Sequence, residues 1–218
     1  MQDLAVVTGM IIKAVPIGEY DRRLVLLTKE RGKISAFVRG ARKPNSRFVA
    51  ATNLFCFGTF KLYQGRDSYT LAEAEITNYF EELRMDFEGA YYGMYFLEIA
   101  DYYTRENNDE REMLKLLYQS LRALSVPSLS HQLVRAIYEL KSVIVNGEFP
   151  GIPVGEGKSY LPATEYTVDY IVNSSIEKLY TFTVTEEVLN ELKTIAERIC
   201  KTCLSVHFHS LEILSTLE

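Results

Sequence analysis

The chain of 218 residues carries a net charge of -5, with 47% hydrophobic and 24% charged residues, proportions that exclude disordered, collagen-like and low-complexity classes and allow one or two globular domains. Its most apolar stretch, 4–15, is broken by Thr8, Gly9 and Lys13 and falls short of the ~20 residues that span a bilayer. With Asp3 where a signal peptide is basic, and with only three cysteines, Cys56, Cys200 and Cys203, a cytoplasmic chain without membrane contact or a disulfide framework is expected.

The charge is divided. Residues 1–80 hold 12 Lys and Arg against 7 Asp and Glu, a net of +5, whereas residues 81–218 hold 12 against 22, a net of -10. A polyanion therefore has its candidate partner in the first part, although charge for solubility alone produces such imbalances too.

In chain order, 4–14, 24–28, 34–39, 55–63 and 69–76 are short runs rich in Val, Ile, Phe, Tyr and Thr, separated by turn residues at 16–18, 29–32, 40–46 and 65–68. Five strands with short connections predict a small antiparallel barrel, OB-like or SH3-like by count. From Phe80 the apolar spacing changes to three and four, predicting a helix through Leu97. A second helix starts near Asp109, and a third runs from Leu133 to a stop at Asn146-Gly147. Gly151, Pro153, Gly155 and Gly157 mark a connector. Alternation over 166–172, the turn residues Asn173-Ser174-Ser175 and the run 178–184 predict a β-hairpin, after which Thr185 caps a last long helix and 206–217 closes the chain. The fold class is thus α+β: a basic five-stranded barrel domain over 1–80, then a mainly helical domain over 81–218 with a hairpin insertion at about 148–184.

The densest local signal is Arg39-Gly40-Ala41-Arg42-Lys43-Pro44-Asn45-Ser46-Arg47, four cations on a loop kept open by Gly and Pro. Such cations neutralise phosphates without reading bases; the alternative is an ordinary solvated turn. With Ile34, Ala36 and Val38 turned inward, Ser35, Phe37 and Arg39 share the outer face, so Phe37 is either a stacking platform for unpaired bases or a packing residue. Arg22 and Arg23 follow Glu19 and Asp21, which compete for them. The expected nucleic-acid contacts are Arg23, Lys33, Phe37, Arg39, Arg42, Lys43 and Arg47, and Arg122 and Arg135 are expected as exposed helix cations for protein partners.

Gly32-Lys33-Ile34-Ser35 does not make a P-loop, because Leu27 stands where its first glycine belongs and a strand follows instead of a helix. Cys200, Cys203, His207 and His209 are metal-ligand types, but one helix cannot enclose an ion and no second pair lies at the usual spacing, so packed thiols are expected. No nucleophile, base and orienting acid assemble at a motif spacing, which gives no expectation of catalysis or of a cofactor.

Gly18-Glu19-Tyr20-Asp21, Leu27-Thr28, Gly32-Lys33-Ile34, Arg39-Gly40-Ala41-Arg42 and Leu71-Ala72-Glu73-Ala74-Glu75, followed by the tyrosine-rich first helix and Phe208-His209-Ser210-Leu211, resemble the RecO family of bacterial DNA repair and recombination proteins over nearly the whole chain. The resemblance implies an N-terminal OB-fold and a helical domain. It also implies binding of single- and double-stranded DNA, annealing of complementary strands and, with RecR, assistance in loading RecA onto DNA covered by single-strand binding protein. Members commonly carry a four-cysteine zinc module between the third long helix and the last helices; the matching stretch 151–179 holds no cysteine, so zinc is not expected here. The rival reading is a non-catalytic interaction scaffold whose acidic helical part is the working surface.

Overall fold

A computed structural model describes residues 4–66, 68–153 and 159–216. They divide into two compact units, one of Met1–Glu81 with Leu97–Leu114 and the other of Glu82–Phe96 with Lys115–Glu218.

In the first unit, β1 (Leu4–Ile17), β2 (Asp21–Thr28), β3 (Gly32–Val38), β4 (Phe57–Gln64) and β5 (Tyr69–Asn78) close into a barrel in the order β1-β2-β3-β5-β4. A short helix α1 (Phe48–Ala51) sits between β3 and β4, and the β3–β5 contact is the parallel one. This order is OB-like and settles the choice that strand count leaves open. Alternation drives the assembly: Val7, Leu24, Leu26, Ile34, Ala36, Val38, Phe60, Leu62 and Leu71 point into one core. Long β1 serves both halves, pairing with β4 through Leu4–Met10 and with β2 through Gly9–Ile17, and a bulge between Ile11 and Lys13 supplies the bend.

Closure requires two glycines. Gly9 and Gly58 face each other across β1 and β4; a Cβ on the first would collide with the Leu27 carbonyl oxygen and a Cβ on the second with that of Glu75. Gly58→Ala is therefore expected to destabilise the protein by about 1–3 kcal/mol, read as a lower urea midpoint; an unchanged midpoint would show that the ladder yields without cost.

Segment Leu97–Leu114 belongs to the barrel unit by specific bonds. The Lys33 N–H donates to the Arg105 carbonyl (3.0 Å), the Asn107 N–H donates to that of Arg31 (3.1 Å), and Gly32 bridges Glu106. Gly32 has φ +62, and a side chain there would strike the Arg105 oxygen.

The helices are α2 (Glu81–Met85), α3 (Phe87–Tyr103), α4 (Arg111–Leu124), α5 (His131–Val145), α6 (Pro162–Asn173), α7 (Glu186–Cys203) and α8 (His209–Leu214), with a 3-10 turn at Ile176–Lys178. In the second unit α5 is buried from Leu133 to Val143 except at Arg135 and packs on α7. Ser130 caps its start by accepting from the Leu133 N–H, and Gly147 at φ +73 ends it while the Glu148 N–H reaches the Val143 carbonyl (3.0 Å). Phe96 stacks on Tyr138 at 4.2 Å, and the Tyr138 hydroxyl donates to the Phe96 carbonyl (2.8 Å).

The predicted hairpin is corrected. Residues 162–173 form α6, and the stretch expected as the second strand is a 3-10 turn followed by an irregular segment. Thr164, Thr167, Val168 and Ile171 bury one helical face, and Pro162 occupies the first turn. Both helix ends are held by charges from elsewhere. Glu191 Oε2 accepts from the Leu161 N–H (3.0 Å) and the Thr164 hydroxyl (2.6 Å), and Lys141 Nζ donates to the carbonyls of Ile171 (2.9 Å), Val172 (3.0 Å) and Ser174 (2.8 Å). An anion at the N-terminus and a cation at the C-terminus match the helix dipole and override the local β preference. Gly155 and Gly157 of the predicted connector lie outside the described residues.

Candidate nucleic-acid interface

The register places side chains that sequence spacing alone scatters. Arg23 on β2 lies opposite Phe37 on β3, Phe37 is beside Thr70 on β5, and the row continues through Tyr63 to Leu4. Arg23 is exposed, its guanidinium 3.4 Å from the Ser35 hydroxyl. Phe37 remains 38% exposed. An aromatic face with a guanidinium at its flank is the arrangement on which unpaired bases stack.

Where these strands end, the loop 39–47 is pinned rather than slack. Ala41 is buried, the Gly40 N–H donates to Asp21 Oδ1 (2.7 Å), and the Arg42 N–H donates to the Tyr20 carbonyl (2.8 Å). Two further turns follow, Lys43 N–H to Gly40 oxygen (3.2 Å) and Ser46 N–H to Lys43 oxygen (3.1 Å). Asp21 is thus engaged with backbone instead of competing for Arg23. Arg39, Arg42 and Lys43 project outward; Lys43 Nζ stands 5.7 Å from the Tyr20 ring centroid. The side chains of Arg39 and Arg42 make no hydrogen bond or ion pair among the described residues.

Arg23, Phe37, Arg39, Arg42 and Lys43 are therefore brought together, whereas two expected contacts go elsewhere. Lys33 Nζ donates to the Asp101 carbonyl (2.6 Å) and to its Oδ1 (3.0 Å), and Lys13 reaches the other carboxylate oxygen (2.7 Å). Burial of Asp101 works against its charge, but the bonds from Lys13 and Lys33 prevail and lower its pKa. Arg47 donates to the Ala72 carbonyl (2.6 Å) and lies over the Phe48 ring at 4.8 Å, which carries it toward β5 and away from the cluster. Arg22, on the opposite side of β2 from Arg23, is a structural residue: its Nη1 donates to the Thr52 carbonyl (3.0 Å), the Thr52 hydroxyl (2.9 Å) and Asn53 Oδ1 (3.1 Å). Burial, then the neighbouring Arg42 charge, lowers its pKa. Across β4 and β5 the outer face is mixed in sign, with Lys61 paired to Glu73 at 2.7 Å and Glu75 beyond. Exposed Arg23, Arg39, Arg42 and Lys43 lie on the β2–β3 side, and Arg66 is exposed at the β4–β5 turn. Sequence reasoning assigned no site role to exposed Tyr63, whose signal lies in strand register, or to exposed Tyr20, which lies within the Gly18–Asp21 motif.

In the helical unit Arg122 is exposed as expected, but Arg135 is not. Its side chain is only 12% exposed, its Nε donates to Glu139 Oε1 (2.9 Å), and its guanidinium lies over the Tyr95 ring. The Tyr95 hydroxyl donates to the same oxygen (2.7 Å), so the expectation of a solvated cation fails because a buried carboxylate claims it. Burial disfavours the Arg135 charge, yet Glu139 outweighs it and raises the arginine pKa.

Cys200 is largely buried, which raises its thiol pKa; Cys203 Sγ faces the Glu148 carbonyl, and His207 and His209 both turn to Glu212. Among the described residues no three His, Cys, Asp or Glu converge as a metal site would require, and no helix is long and apolar enough to cross a membrane.

An OB-type barrel with an aromatic and basic outer patch, continued by a helical unit, defines a class of nucleic-acid-directed proteins. Residues 1–80 match the family described as Recombination protein O N terminal, and residues 84–150 match Recombination protein O C terminal. Similar proteins include the DNA repair protein RecO of Acetivibrio thermocellus, 29% identical with 97% of this chain and 96% of that protein covered. That of Clostridium perfringens is 27% identical, with 96% and 97% covered, and that of Symbiobacterium thermophilum is 34% identical, with 67% and 58% covered. The chain belongs to the RecO family of DNA repair and recombination proteins. The alignment to the Acetivibrio protein runs to 241 positions against the 218 residues here, so that relative holds residues without a counterpart in this chain.

Proposed function

We propose that this chain is a non-enzymatic recombination mediator that binds single- and double-stranded DNA through the barrel and anneals complementary strands. In the same reading it acts with RecR to help load RecA onto DNA coated by single-strand binding protein. Residues 1–80 are the DNA-binding domain and the acidic residues 81–218 carry the protein contacts, with Arg122 as an exposed cation for one of them. The observation that carries the reading is the side-by-side exposure of Arg23 and Phe37 next to the pinned Arg39, Arg42 and Lys43. Two strands repel one another unless a shared cationic face neutralises both, and stacking on Phe37 holds bases without regard to sequence.

The test is annealing of complementary oligonucleotides, bare or coated with single-strand binding protein, without ATP. Arg42→Glu with Lys43→Glu is expected to abolish annealing of bare strands. Phe37→Ala is expected to weaken single-strand binding by about 1–3 kcal/mol. Arg122→Glu is expected to impair annealing of coated strands only. Bare-strand annealing that survives the charge reversal would favour the scaffold reading, in which the acidic part is the working surface.

A further inference from the structure

Residues Thr181-Phe182-Thr183-Val184-Thr185 have the composition of a strand and, among the described residues, no strand to pair with. Their exposure alternates, with Phe182 and Val184 half-buried between exposed threonines, which is the two-residue period of extended backbone. The N–H and C=O groups of Phe182, Thr183 and Val184 find no partner among the described residues. The segment that would have formed the other half of a hairpin is committed to α6. What remains is an edge that resembles the outermost strand of a sheet whose neighbour is missing.

The edge borders a groove of about 570 Å³ lined by Tyr166, Thr167 and Tyr170 of α6 and by Phe182, Val184 and Val188. Tyr166 is 72% exposed, and Phe182 meets Tyr170 edge-on at 5.3 Å, so the floor is aromatic and open. The surroundings are acidic. Glu165 and Asp169 each stand one position from the groove-lining residues of α6, Glu186 and Glu187 open α7, and all four are exposed. Glu187 is held below the ordinary carboxylate range by backbone hydrogen bonding and by the Thr185 hydroxyl, so its charge persists. Across 162–188 the sequence has five acidic residues (Glu165, Asp169, Glu177, Glu186, Glu187) against one basic residue, Lys178.

We propose that this edge and groove form a docking site for an extended segment of a partner protein, added as a strand alongside Phe182–Val184. The partner segment places apolar side chains at alternate positions into the groove and lysine or arginine at the positions between, facing the acidic rim. Main-chain hydrogen bonds supply affinity, alternate side chains supply selection, and the rim rejects acidic segments. The site is separate from the barrel patch and does not depend on DNA binding by that patch.

The experiment uses the full chain and a fluorescent synthetic peptide of alternating valine and lysine, about ten residues long, enough for one strand. Binding is followed by anisotropy, and amide hydrogen exchange of the protein is followed by mass spectrometry. The expected result is binding that slows exchange over 181–185 and that weakens by about tenfold or more when the peptide's alternate amides are N-methylated or when the protein carries Thr183→Pro, each of which deletes strand hydrogen bonds. A valine–glutamate peptide is expected not to bind. Because Thr183 is exposed, a proline there tests pairing rather than folding, and the unfolding midpoint of the variant is measured alongside. Equal binding of the methylated peptide, or no change in exchange over 181–185, would overturn the proposal. So would a concentration-dependent dimer of the chain alone that Thr183→Pro dissolves, because the occupant would then be a second copy.

Discussion

Lys141→Met is expected to cost about 2–4 kcal/mol of stability, the largest loss from any single substitution considered. The side chain is nearly the same length, so packing of the stem is kept and the charge alone is removed. Its Nζ satisfies three carbonyls at the end of α6 from a buried position on α5. Without it those oxygens, left by the helix without intrahelical donors, face a hydrocarbon chain. Urea unfolding of the two proteins checks this as a lower midpoint at unchanged slope, with Arg122→Met as an exposed control within about 0.5 kcal/mol of the parent. A Lys141→Met midpoint as high as the control would mean that water replaces the ammonium at no cost.

The double substitution Arg39→Ala, Arg42→Ala is expected to weaken binding to every single-stranded sequence alike, by about tenfold or more at moderate salt. The logarithmic salt slope should fall by about 1.4, at ~0.7 for each phosphate no longer neutralised. Both guanidinium groups project from backbone that is anchored by Gly40 and Arg42 N–H bonds to Asp21 and Tyr20, so alanine removes charge without releasing the loop. Titration of two oligonucleotides of unlike sequence at several salt concentrations separates the outcomes. A loss confined to one sequence would indicate base contacts instead, and an unchanged slope would place the DNA elsewhere.

The barrel was readable because β3, β4 and the start of β5 bury every second residue, and that period survives in the sequence wherever one face meets a core. The helix α5 was readable for the same reason with a different period, and Asn146-Gly147 announced its end. Residues 166–172 defeated the reading because their pattern serves both periods: Tyr166, Val168 and Tyr170 alternate, while Thr164, Thr167, Val168 and Ile171 line a helical face. The decision rests with Glu191 and Lys141, far away along the chain, which no local pattern reveals. Lys33 followed the same logic, since its partner Asp101 is 68 residues distant and a cation's solvation cannot be read without its counterion. Arg135 was a different failure. Glu139 lies four residues on, a spacing that announces an ion pair, and the sequence offered that signal.

The double duty of β1 also governs how the barrel comes into being. Its partnership with β2 closes across the short turn at Gly18–Tyr20, but its partnership with β4 must wait until most of the barrel sequence has been made. On the ribosome the β1–β2–β3 meander is therefore able to form first, with one edge of β1 still open, and the segment Leu4–Met10 lacks its neighbour until Phe57–Gln64 emerges. Contacts so separated along the chain carry a loop-closure entropy that local hairpins do not, so pairing β4 with β1 costs more chain entropy than closing the β1–β2 hairpin.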